Sequence, residues 1–209
     1  MNLDTTKALI TLDEAKEYLK VSGTADDQII STLINAVSGL VCGYLNRNLV
    51  RATYTEYYSG DGSQSLMLRN YPVVSITSIY EDDLREWASG ALIDHAEDII
   101  IQKDSGLLRN WNGRATWLTG HANIKVVYVA GYTTDFDGGT MPNAIRLATK
   151  RILDQQYRHG YSHRKLDVSS ETTGDQSTSF READIPRDAK AMLDPYRCLM
   201  SPPAFVYAD

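Results

Sequence analysis

Thr24-Ala-Asp-Asp-Gln-Ile-Ile-Ser-Thr-Leu-Ile-Asn-Ala-Val-Ser-Gly-Leu-Val-Cys-Gly-Tyr-Leu-Asn46 is the stretch that decides the fold. Its apolar residues are Ile29, Ile30, Leu33, Ile34, Val37, Leu40, Val41, Tyr44 and Leu45. They recur at helical spacing, so they predict one broad stripe on an α-helix. Thr24 is a suitable N-cap, and Asp26 and Asp27 sit in the first turn, where the helix dipole favours negative charge. A helix of about 22 residues would be about 33 Å long. The stripe is too broad for one contact, so the helix needs partners on two sides, from this chain or from a neighbouring copy.

Upstream, Thr11-Leu12-Asp13-Glu14 has the form of a capping box and opens a short helix to about Lys20. Leu12, Ala15, Tyr18 and Leu19 form its expected apolar face. Downstream, the period changes to two. Arg51–Tyr58, Leu66–Arg69, Val73–Tyr80, Asp98–Gln102, Leu107–Trp111 and Ile124–Ala130 predict strands joined by Gly- and Asp-rich turns. In the third of these, Val74, Ile76 and Ile79 are the expected inward residues. Helical spacing returns after Pro142 and runs to about Arg158, with Ile145, Ala148 and Ile152 inward. Residues 161–182 are polar and rich in Ser and Thr, which predicts a flexible loop. Pro186 opens a last short helix that Pro195 stops, and the prolines near the C-terminus predict an extended tail. The expected fold class is α+β: a bundle of about four helices carrying an inserted antiparallel sheet or small barrel. The expected division is a helical core of residues 1–49 with 132–199, a β domain of 50–131, and an arm of 200–209.

Charge narrows the function. The chain has 209 residues, 43% hydrophobic and 23% charged, with a net charge of −6. Its pI is about 5.2 and its mean hydropathy −0.33. A protein that grips DNA through its phosphates needs a basic footprint, so DNA gripping is disfavoured. No apolar run approaches the roughly 18 residues of a membrane span, and the N-terminus lacks signal-peptide form. Cys42 and Cys198 make no disulfide framework, and Cys42 is expected to be a small buried residue. Charge is also segregated. Residues 1–45 hold three Lys against six Asp or Glu. Residues 146–165 hold Arg146, Lys150, Arg151, Arg158, Arg164 and Lys165 against Asp154 alone. A solvated basic helix face accounts for this. So does head-to-tail association of copies, with Asp26 and Asp27 of one flank facing Arg146, Lys150, Arg151 and Arg158 of the next.

Catalytic signals are weak. His159 and His163 are four apart, but Gly160 breaks a helix there and no metal is expected. The loops at Gly60-Asp61-Gly62 and Asp137-Gly138-Gly139 lack the P-loop lysine. Glu81, Asp82 and Asp83 offer a carboxylate pair in principle, but an acidic turn is usually only solvated. Trp87, Trp111 and Trp117 could line a sugar site or fill a core. No cofactor is expected.

Three segments resemble the phage head–tail connector family, also called adaptor or head-completion proteins. The first is Leu9-Ile-Thr-Leu-Asp-Glu-Ala-Lys-Glu-Tyr-Leu19 with the Asp26-Asp27 helix ending in Tyr44-Leu45-Asn46-Arg47. The second is Val126-Val-Tyr-Val-Ala-Gly-Tyr132, a loop, then Met141-Pro142 and a helix with Ala148. The third is Ile185-Pro186 through Leu193-Asp-Pro-Tyr-Arg197. The β module resembles that of the longer adaptors.

The resemblance implies a non-enzymatic virion protein in the neck between head and tail. It implies a homo-oligomeric ring, usually of about twelve copies. The implied partners are the portal protein and a stopper or tail-completion protein, with genomic double-stranded DNA passing through the lumen without specific binding, and no membrane. A dodecamer would carry twelve times the −6 of one chain, which suits a wall along which DNA slides. Tyr196, Arg197, Phe205, Val206 and Tyr207 are the expected portal-binding residues. The alternative is a carbohydrate-binding or tail-associated β module on a helical base.

Overall fold

The computed structural model describes residues 3–93, 98–111, 116–134, 139–158 and 185–198, and the backbone of a hairpin at 170–173 and 176–179. The chain divides into two compact units. One is Met1–Leu45 with Thr134–Arg197, the other Asn46–Thr133 together with Cys198. The class is α+β, with four α-helices and antiparallel sheets among the described residues.

The helical unit begins with α1 (Leu12–Leu19), closed at its start by the expected capping box. Thr11 Oγ1 accepts from the Glu14 amide at 3.2 Å, and Glu14 Oε2 accepts from the Thr11 amide at 3.0 Å. Lys20 ends it in the left-handed region. Tyr18 is exposed, and the buried residues are Glu14 and Ala15. The inward side is therefore rotated from the one expected, because the Glu14 carboxylate has partners below it.

Helix α2 (Asp27–Leu45) has 19 residues. It starts later than expected: the Asp26 carbonyl accepts from Ile30, while Thr24 closes only a preceding turn to Asp27. Ile30, Ile34, Val37, Val41 and Leu45 are fully buried. At roughly 1.5–3 kcal/mol for each large aliphatic side chain, this stripe is the main store of hydrophobic free energy in the unit. It packs against both α1 and α3 (Asn143–Tyr157), while Ile29, Leu33, Leu40 and Tyr44 of the expected stripe are half-buried. Two polar residues also hold the N-terminal segment: Ser38 Oγ accepts from the Leu9 amide at 3.1 Å and Asn35 Oδ1 from the Asp4 amide at 3.0 Å. By length and composition α2 is apolar enough to cross a membrane, contrary to the expectation from the sequence. Its buried stripe and these polar contacts are the pattern of a core helix. Cys42 is half-buried rather than buried.

Helix α3 buries Ile145, Ala148, Thr149, Ile152 and Leu153, and packs on α4 (Arg187–Leu193). A 3-10 turn, Asp194–Tyr196, follows. The region expected to be a loop contains a backbone hairpin, β8 (Ser170–Thr173) paired with β9 (Gln176–Ser179). Thr172, Thr173 and Thr178 supply strand-forming residues to the two strands.

The second unit contains β1 (Ala52–Tyr58), β2 (Ser65–Met67), β3 (Val73–Glu81), β4 (Leu92–Ile93), β5 (Ile99–Gln102), β6 (Leu107–Asn110) and β7 (Ile124–Ala130). They form two antiparallel sheets rather than a barrel, in the orders β1-β7-β3-β4 and β2-β6-β5. One core joins them, filled by Leu68, Leu108, Trp117, Ile79, Val126 and Tyr128 among others. Strand β7 alternates strictly, with Ile124, Val126, Tyr128 and Ala130 inward. Strand β3 slips register against β7 between Val73 and Ser75 and again between Ile76 and Ser78. These bulges change the phase of the alternation, so Val73 is buried where Val74 was expected and Val74 is exposed.

Candidate interaction surfaces

The six charged residues expected at a subunit interface all have partners in their own chain. Glu14 is 3% exposed, and its Oε1 lies 3.3 Å from Arg146 Nη1 and 3.2 Å from Lys150 Nζ. The same carboxylate closes the capping box, so one residue caps α1 and ties it to α3. Lys16 Nζ lies 2.7 Å from Asp27 Oδ1, and Tyr157 donates to Asp26 Oδ2 at 3.1 Å. Arg151 is bound to Asp188, and Arg158 Nε lies 2.7 Å from Asp154 Oδ1. Desolvation works the other way, but the Arg151 guanidinium holds the Asp188 carboxyl below its ordinary range. Of this segregated charge, the ion pairs of Glu14 tie α1 to the basic α3, while Asp27 pairs within the N-terminal segment and Arg151 and Arg158 pair with Asp188 and Asp154.

Of the expected portal-binding residues, Tyr196 and Arg197 are described. Arg197 stands 5.3 Å from the centre of the Tyr44 ring, and Tyr44 donates its hydroxyl to Asp194. Phe205, Val206 and Tyr207 lie outside the described residues, as do His159 and His163.

The β unit holds a buried polar hub that the sequence did not reveal. Glu56 lies on the inner side of β1 and is buried. Its Oε2 accepts from Tyr58 and, at 2.6 Å, from Tyr128, while Asn70 Nδ2 donates to Oε1 at 2.9 Å. The Asn70 amide reaches Tyr128 Oη at 3.2 Å, and the Arg69 amide reaches Tyr58 Oη at 3.0 Å. Burial, then the neighbouring Tyr128 and Glu56, push the Tyr58 hydroxyl far above its ordinary value. Burial, then Glu56, does the same to Tyr128. The hub fastens the turn after β2 to the four-stranded sheet. Its groups are satisfied by one another, which makes it a structural network.

At one end of the unit, three loops are bound together by Asn123. Its Oδ1 accepts from the Gly60 amide at 2.9 Å, and its Nδ2 donates to Leu118 O at 3.0 Å and Asp83 Oδ1 at 3.2 Å. Gly60 is required there, because a Cβ would lie 1.8 Å from Leu118 O. Glu81 Oε1 accepts from the Leu118 amide at 2.7 Å. Asp82 accepts from the amides of Leu84, Glu86 and Trp87 at 2.9, 2.9 and 2.8 Å. Partial desolvation opposes the shift, but these amides hold the Asp82 carboxyl below its ordinary range. All three carboxylates of the acidic turn take part in loop structure. The three tryptophans lie in different surroundings. Trp117 is in the core, Trp87 stacks on Tyr57 at 5.5 Å, and Trp111 is exposed beyond the end of β6.

The architecture is thus a helical unit interrupted by a two-sheet unit, with many of the described polar groups holding elements together. The chain matches the head completion protein family over residues 8–199 and belongs to that family, whose members are structural proteins rather than enzymes. No curated protein matches it. Its fold is that of solved chains from gene transfer agent particles. One comes from the neck of an empty particle computed with C6 symmetry, with a TM-score of 0.62, 12% identity, and coverage of 96% of this chain and 94% of that one. A second, from the neck of a native particle computed with C12 symmetry, has a TM-score of 0.61, 12% identity and coverage of 96% and 97%. A third, from the virion of a native particle, has a TM-score of 0.60, 15% identity and coverage of 96% and 94%.

Proposed function

We propose that this protein completes the head of a phage-like particle as a ring in the virion neck, between the portal and a stopper or tail component, and extends the DNA channel. The observation that carries this is the family match over residues 8–199. The likeness to neck chains over 96% of the length supports it, and those necks were computed with C6 and C12 symmetry. A ring of about twelve copies would follow from such an axis. An acidic wall would let DNA slide rather than bind. Particles lacking the protein should leak genome and carry no tails. Adding the purified protein to them should restore both, with a ring at the portal vertex seen by electron microscopy. Particles that stay sealed and tailed without it would end the proposal.

Within the ring, the outer side of α3 would meet the Asp26–Asp27 turn of the next copy. Arg151 and Arg158 are the exposed members of the basic set, whereas Arg146 and Lys150 act from inside by fixing the helices through Glu14. Arg151→Glu with Arg158→Glu should weaken ring formation at low salt, and unchanged rings would remove this contact. Tyr196, Arg197 and the segment Phe205-Val206-Tyr207 would contact the portal. Deleting residues 200–209 should abolish portal docking while the thermal transition stays unchanged; intact docking would refute that role.

A further inference from the structure

The loop end of the β unit carries exposed apolar side chains that its own fold does not account for. Leu84 is 78% exposed, Leu118 55% and Leu92 51%. Leu84 and Leu118 stand on loops that one side chain ties together. Asn123 Nδ2 bonds both Leu118 O and Asp83 Oδ1, next to Leu84, and Leu92 pairs with Tyr80 at the end of β3. An exposed leucine alone means little, but a group of them on a braced platform marks an interaction site.

The platform is rigid by construction. Arg85 and Trp87 both sit in the left-handed region, at φ 59° and 53°. Non-glycine residues stay there only when their surroundings hold them, and the Asp82 carboxylate does so through three amides of the same loop. The turn that results lays Trp87 over a cross-strand row on the outer sheet face. Tyr57 and Tyr80 both pair in register with Lys125, whose Nζ lies 5.9, 5.8 and 5.7 Å from the Tyr57, Tyr80 and Trp87 rings. Cation–π attraction locks the indole down, and Leu84 is left standing at the tip.

Charge identifies the occupant. Among the described residues of these loops, Asp61, Glu81, Asp82, Asp83 and Glu86 stand against Arg85 alone. Two copies meeting face to face here would set acidic rim against acidic rim. A second copy offering its basic side is disfavoured too, since in the ring proposed above the outer side of α3 meets the Asp26–Asp27 turn of the next copy. We infer that this end of the β unit, with Leu84 and Leu118 as anchors, docks a different virion protein that presents an apolar pocket flanked by Lys or Arg. The inference rests on the neck assignment above. It places a partner at the loop end of the inserted unit, separate from the α3 contact between copies.

The test uses the full-length protein, heads lacking it, and purified tails of the same particle. Co-sedimentation with heads and tail attachment by electron microscopy are read separately. The variants are Leu84→Asp with Leu118→Asp, and Glu86→Lys; both change exposed side chains, and circular dichroism checks that they fold. The paired leucine variant should keep its thermal midpoint and its self-association, yet lose one of the two particle contacts by about tenfold or more. Glu86→Lys should weaken the same contact and reduce its sensitivity to salt. Variants that bind heads and join tails like the wild type would overturn the inference and leave the neck assignment standing. Loss of self-association would also overturn it, by making a second copy the occupant. If the wild-type protein itself joined neither heads nor tails, the neck assignment would fail first and the inference with it.

Discussion

Replacing Glu14 by glutamine should be among the most damaging conservative changes in the helical unit. The carboxylate is 3% exposed and neutralises two cations at 3.3 and 3.2 Å. At an effective dielectric constant near 20, each pair carries roughly 5 kcal/mol of Coulomb attraction before desolvation is counted. Net effects are smaller. Removing one partner of a buried pair usually costs about 3–5 kcal/mol, because the other charge is left uncompensated. Lys150 is 20% exposed and can turn toward water, which lowers the expectation to about 2–4 kcal/mol. Glutamine still accepts from the Thr11 amide, so the cap survives and the loss isolates the charge. Glu14→Ala should lose roughly 1 kcal/mol more through the cap. For a chain of this size the glutamine variant should melt about 4–16 °C lower. Urea titration followed by circular dichroism gives the free energy directly. Asp154→Asn, which frees the exposed Arg158, is the control and should change stability by less than about 1 kcal/mol. Glu14→Leu with Arg146→Met and Lys150→Met should recover most of the loss. A Glu14→Gln variant within 1 kcal/mol of wild type, on the same ~2–4 kcal/mol expectation, would refute the assignment of this triad as the tie between α1 and α3.

Alkali should unfold the β unit. Tyr58 and Tyr128 have folded-state pKa values raised above the unfolded value of about 10, so their contribution is intact below that pH and is lost as pH rises through it. The loss should be about 1.4 kcal/mol per pH unit for each tyrosine, read as tyrosinate absorbance appearing only with unfolding. Tyr128→Phe should remove its share of that slope and destabilise the unit at neutral pH by about 1–3 kcal/mol, since Glu56 and the Asn70 amide lose a partner. Gly60→Ala should break the loop cluster, because the new Cβ would meet Leu118 O at 1.8 Å, and limited proteolysis near residues 82–91 should accelerate. Asp82→Ala should expose the same loop to protease while leaving the sheet intact, since three backbone amides lose their acceptor together.

The α+β class, all four helices and most strands were legible because their signals are local. The Thr11–Glu14 box and the stripe from Ile30 to Leu45 each lie within a few turns of chain. The hairpin at 170–179 and the late start of α2 are local departures, whereas others came from contacts between distant residues. The inward side of α1 is set by Arg146 and Lys150, more than a hundred residues away, so apolar spacing alone placed Tyr18 wrongly. The bulges of β3 exist only against β7, and they moved burial from Val74 to Val73. The segregated charges at 1–45 and 146–165 were visible, but spacing alone does not reveal whether a cation meets a carboxylate of its own chain or of the next copy.

The sequence by itself determined the class, the core helix and the family, because periodicity, caps and ordered motifs are written along the chain. Only the tertiary structure decided that Glu14 joins α1 to α3, that Glu56 anchors a buried hub, and that Asp82 and Asn123 brace a tip bearing Leu84 and Leu118. The bonds of Glu14, Glu56 and Asn123 join groups far apart in sequence, and one-dimensional spacing carries no information about that approach; those of Asp82 are local, but their loop is tied in place by Asn123.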